Sequence, residues 1–188
     1  MKRQLLPILA FTFVCSLANS AHALPGESVQ TVKNKIANHS AFSPLKRGIG
    51  ELSGLPFYNA QAKLPNGELV FSMNPDRQGQ RSIEETIAFG ATKPFAGFTR
   101  QNVRLIQQTF GSATSEDFVR SQYVARVNFA EYEKRFYRGT TFAFVTTEFK
   151  QPHQGRKYYH FTILPLKDLN EAIQADQRCR QSEYLCAD

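Results

Sequence analysis

The first 23 residues decide how much of this chain is left to fold. Lys2 and Arg3 precede an uncharged apolar run over residues 5–18, and Ala21-His22-Ala23 follows. A short basic region, an apolar stretch and a small-x-small triplet, in that order, specify a cleavable secretory signal. The run of 14 residues is shorter than the roughly 20 that an anchoring helix needs. Cleavage is expected after Ala23, with Ala18-Asn19-Ser20 as the alternative. Thr12-Phe13-Val14 before Cys15 lacks the small residues of a lipid-attachment site. The first consequence is a chain of 165 residues, 24–188, once 23 are removed from 188. One domain of that length buries a core of its own. No later stretch is long and apolar enough to serve as a membrane anchor.

Export also fixes the redox setting. Cys15 leaves with the leader, so Cys179 and Cys186 remain, with six residues between them. An even pair in an oxidising compartment reads as a disulfide. The loop it closes is short, and the chain-entropy gain is about 2.5 kcal/mol. Such a bridge pins the C-terminal tail rather than the whole domain. Loss of Lys2 and Arg3 lowers the net charge from +7 to +5. A mildly basic exported surface favours an anionic or protein partner outside the cytoplasm, including a membrane surface, without specifying one.

Along the mature chain, Val29, Val32 and Ile36 recur on one helical face. Residues 42–56, broken by Pro44, Gly48, Gly50, Gly54 and Pro56, read as an irregular connection. Residues 57–64 and 68–73 read as strands joined by Pro65-Asn66-Gly67, a hairpin signal. Residues 81–89 alternate, with Ile83, Glu85, Ile87 and Phe89 on one face. Thr99 reads as the N-cap of a second helix that ends at Gly111. Three further strands are expected over residues 118–129, 136–149 and 156–164, then a short helix opened by Asp168.

The expected class is therefore α+β: a twisted antiparallel sheet of about six strands with helices packed on one face. The order helix, three strands, helix, three strands, helix resembles the helix-on-curved-sheet layout of cystatin-like folds. The resemblance is confined to element order, since no cystatin motif is present. Gln78-Gly79-Gln80-Arg81 and Gln154-Gly155-Arg156-Lys157 precede the third strand of each trio, which raises a duplicated helix-plus-three-strand unit as one version of this fold.

Candidate sites are few. His160 and Thr162 fall two apart on a strand and so share a face. The pair resembles one half of the phosphate-binding motif of two-histidine phosphoesterases. Neither His39-Ser40-Ala41 nor His153-Gln154-Gly155 supplies a second copy. Pairing His160 with His39 or His153 would be the other route to acid–base chemistry. The adjacent acids Glu84 and Glu85 point to opposite sheet faces and cannot act on one atom. The best binding candidate is a basic, aromatic hairpin with Tyr132, Lys134, Arg135, Tyr137 and Arg138, joined by Arg156 and Lys157. No metal-ligand spacing, nucleotide loop or cofactor motif occurs. The reading is an exported, non-catalytic binding domain for an envelope or extracellular protein or an anionic polymer. The alternatives are a small phosphodiester hydrolase using His160, and a structural or assembly protein pairing through a sheet edge.

Overall fold

Strand alternation and helical periodicity converge on one sheet with helices on both sides. The structure, a computed structural model, describes residues 24–50, 54–64, 67–91, 100–152 and 155–181. The leader expected over 1–23, the Pro65-Asn66 pair, Thr99, His153 and Cys186 lie outside the described residues. Helix α1 (Val29–Ala37) leads into strands β1 (Lys46–Ile49), β2 (Pro56–Leu64), β3 (Gly67–Pro75) and β4 (Ser82–Ala91). Helices α2 (Arg100–Phe110) and α3 (Ser112–Arg120) lead into β5 (Gln122–Asn128), β6 (Tyr132–Arg138), β7 (Phe142–Phe149) and β8 (Lys157–Pro165). A 3-10 turn (Leu166–Asp168) opens the last helix, α4 (Leu169–Gln181).

The strands form one eight-stranded sheet in the order β1-β2-β3-β4-β8-β7-β6-β5. Every neighbouring pair is antiparallel, so the sheet is two four-stranded meanders joined where β4 meets β8. The α+β class and the antiparallel sheet are as expected, but the described residues form eight strands, not about six. One extra strand is β1, inside the segment read as an irregular connection. It is four residues long and Gly-containing, and it exists by pairing with β2. The other comes from dividing the expected strand 136–149. The chain turns at Gly139-Thr140-Thr141, so residues 132–138 are a full strand and not a hairpin tip. The expected strand 118–129 begins later, at Gln122, because residues 112–120 are helical.

The helices occupy both faces rather than one. Alternation on β7 and β8 separates the two sides. Phe144, Phe161 and Ile163 face one core, with Val29, Val32 and Ile36 of α1, Ile106 and Phe110 of α2, and Phe118 of α3. Ala143, Val145 and Leu164 face the other, with Leu169 and Ile173 of α4. The chain has 16 Phe and no Trp, and Phe rings fill the larger core. Phe118 meets Phe161 edge-on at 4.9 Å and Phe144 at 5.4 Å. Such pairs contribute about 0.5–1.5 kcal/mol each beyond the area they bury. Among the described residues, no helix is long and apolar enough to cross a membrane.

Candidate functional site

The second face of the sheet is only partly closed, and the reason lies in α4. Leu169 and Ile173 anchor its start against Ala143, Val145 and Leu164. Beyond them, Ala172, Ala175 and Asp176 recur at helical spacing toward the sheet, offering two methyls and a carboxylate. Opposite stand Thr86, Thr147, His160 and Thr162. Short side chains on both walls leave a cleft of about 420 Å³.

Strand register orders the floor. His160 lies opposite Thr147, and Thr147 opposite Lys134. These three form one row across β8, β7 and β6. With neighbouring strands about 4.8 Å apart, the backbones at His160 and Lys134 are separated by about 10 Å. The next row runs Thr86, Thr162, Val145, Phe136. The Thr86 and Thr162 hydroxyls are 2.9 Å apart, and Thr86 donates to Glu84 Oε1 at 3.4 Å. Lys134 Nζ contacts both Asp176 oxygens at 2.9 Å, tying β6 to α4.

Burial sets the protonation states. It pushes the Glu84 carboxyl above its ordinary pKa, which Lys134 and the Thr86 hydroxyl partly offset and Asp176 reinforces. Burial, aided by the nearby Lys134 charge, lowers His160 from 6.5 to about 4. At neutral pH the imidazole is therefore uncharged. No described residue hydrogen-bonds to its ring, whose one described aromatic neighbour is Phe149, edge-on at 5.0 Å.

A second cavity of about 460 Å³ adjoins the first. Phe149 and His160 line both, and Glu131, Gln151, Pro152 and Tyr158 complete the second. Successive ring contacts link Phe129 to Tyr132 at 4.6 Å, Tyr132 to Phe149 at 5.4 Å and Phe149 to His160. The result is a band of four rings running from the end of β5 to β8.

Of the residues named from sequence, His160, Thr162, Tyr132 and Lys134 meet in this cleft. The others do not join them. Alternation on β6 turns Arg135 and Tyr137 to the opposite face. There Arg135 Nε donates to Glu133 Oε1 at 2.5 Å, and Tyr137 packs edge-on against Phe118. Arg138 is exposed at the end of β6. Lys157 pairs with Glu148 on the face that carries Tyr159. Arg156, next to it, is half-buried. The cations thus divide between two faces instead of forming one patch. His39 belongs to the other side of the sheet. Its Nε2 is 3.0 Å from the Gln108 carbonyl, and its ring lies against Phe42. His39 and His160 are not partners. Cys179 stands in α4, while the cysteine expected to bridge it lies outside the described residues. Among the described residues no three His, Cys, Asp or Glu side chains converge as metal ligands.

Glu84, Thr86, Thr147 and Asp176 were not read as site residues. Glu84 was legible as one of two acids on opposite faces. Asp176 had no local signal, because its partner Lys134 is 42 residues away. Comparison with protein-family models, curated proteins and solved structures finds no match for this chain.

Proposed function

We propose that this is an exported, non-catalytic binding domain that takes its ligand in the cleft between α4 and the second sheet face. The observation that carries the reading is His160: an uncharged imidazole, without a hydrogen bond from any described residue, facing a cavity lined by hydroxyls. A layer selected for packing alone would close over that position with apolar side chains. Polar groups converging in one cleft beside apolar side chains are a usual form of ligand site. A thermal-shift screen with small polar compounds tests this. Ligands should raise the Tm of the wild type and leave Ala175→Trp, whose indole fills the cleft, unmoved. A library in which no compound separates the two proteins removes the cleft as the recognition site.

Export rests on the grammar of residues 1–23 and places the partner outside the cytoplasm. A Cys179–Cys186 bridge belongs to the same proposal. Mass spectrometry of protein from its native host should find residue 24 first and no free thiol. An intact starting Met with Cys179 and Cys186 both free would overturn it. Two meanders, each a strand quartet preceded by helix, favour a duplicated unit of four strands rather than three.

The second reading, a phosphodiester hydrolase, is favoured by His160 and Glu84 lining the same cleft. Against it, Lys134, the one cation lining the cleft among the described residues, is already paired with Asp176 and leaves none for a phosphate. Undiminished turnover of a nucleotide diester by His160→Ala would end that reading.

A further inference from the structure

Resting on that cleft as the binding site, we infer that its ligand is an uncharged oligosaccharide. Charge is the first argument. Lys134, the one cation lining the cleft among the described residues, is matched by both Asp176 oxygens. Glu84 adds a carboxyl, so an anionic ligand meets more acid than base. A ligand without charge desolvates neither Lys134 nor Asp176 at the expense of their pairing.

Shape and chemistry give the second argument. Tyr132 and Phe149, both half-buried, line the cleft with aromatic rings, and His160 continues the band. Beside it run Thr147, Thr162, Thr86 and Glu84, a line of hydroxyl and carboxyl groups. A sugar ring has the complementary form: C–H groups on one face and hydroxyls around the rim. Aromatic faces take the first, and fixed polar side chains take the second.

Extent gives the third. Two cavities of about 420 and 460 Å³ share Phe149 and His160. A ligand of repeated units lies across both, one unit in each. An extended peptide fits less well. The floor strands β4, β8, β7 and β6 are all interior to the sheet and paired on both sides. They offer no free backbone edge for strand addition.

An array of neutral and acidic oligosaccharides, followed by NMR titration of the purified protein, tests this. A neutral trisaccharide from the array should shift the amide signals of Tyr132, Thr147 and His160 saturably. Tyr132→Ala should weaken that binding at least tenfold, and Thr147→Val measurably. Trigalacturonate and inorganic phosphate should leave those signals in place. If trigalacturonate or phosphate moves them and neutral sugars do not, the cleft binds ligand but the saccharide assignment falls. If only other compounds from the thermal-shift screen move them, the assignment falls in the same way. Silence from every compound at those signals removes the cleft reading and this inference together.

Discussion

Lys134 on β6 and Asp176 on α4 form an ion pair in which Nζ lies 2.9 Å from each carboxylate oxygen. The pair crosses the row that holds His160, and the Lys134 charge is the second cause, after burial, of the low His160 pKa. Lys134→Met should therefore raise that pKa from about 4, yet leave it below 6.5 because burial persists. Imidazole NMR titration reads this directly. The sign carries into stability. With its pKa depressed, His160 binds fewer protons in the native chain than in the unfolded one between pH 6.5 and about 4. Its contribution is complete above 6.5 and is lost as pH falls through that window. Lys134→Met should make the loss smaller. An unmoved His160 titration would show that the charge does not reach the ring.

Asp117 of α3 fixes the turn between β6 and β7. Its Oδ1 accepts from the Thr140 N–H at 2.7 Å and from the Thr140 hydroxyl. Its Oδ2 accepts from the N–H groups of Thr141 at 3.0 Å and Phe142 at 3.2 Å. Burial alone would raise this carboxyl, but the four donors more than offset it and hold the pKa below its ordinary value. Asp117→Ala leaves backbone donors unpaired and should destabilise the protein by about 2–4 kcal/mol in urea unfolding. A change within the scatter of surface substitutions would show that water replaces the carboxylate without loss.

That turn also shows where the sequence stops being legible. Thr140, Thr141 and Phe142 have strand-forming side chains, so residues 136–149 read as one strand. The break is imposed by a carboxylate 23 residues upstream, which no local pattern records. Gly139 was the local hint, without a Pro or Asn beside it. By contrast, Glu85, Ile87 and Phe89 were placed on one face by alternation, and all three are buried there. Ile83, on the same face by count, is 47% exposed, because the β3–β4 register shifts at Asn74/Pro75. His160 and Thr162 were legible for the same reason as Glu85. The wall they face was not, since α4 reaches them only through tertiary packing.

Gly139 and Asp117 should be coupled. A Cβ on Gly139 would stand 2.5 Å from Asp117 Oδ2 and 2.7 Å from Phe144 Cε2. Gly139→Ala must displace the carboxylate from its donors or shift the Phe144 ring, so it should destabilise the wild type. In an Asp117→Ala background one of the two clashes is gone, and the same substitution should destabilise less, by about 0.5–3 kcal/mol. Equal effects in both backgrounds would place the whole penalty on Phe144.

Glu85 gives the protein a pH limit on the alkaline side. The residue is 0% exposed, and among the described residues only Ser82 stands near enough to act on its carboxyl as a hydrogen-bond donor. Burial raises its pKa from 4.5 to about 8, with the Glu27 charge adding to the rise and Ser82 and Lys35 opposing it. The native chain thus holds a proton that the unfolded chain releases across that window. The Glu85 contribution to stability is full at low pH and is lost as pH climbs from 4.5 to about 8. At about 1.4 kcal/mol per unit, the loss is on the order of 5 kcal/mol. Urea unfolding at about pH 5 and about pH 8.5 should show a clear drop for the wild type and a much smaller one for Glu85→Gln. Parallel curves for the two proteins would mean that Glu85 ionises in place, with Lys35 turning from Glu27 to meet it.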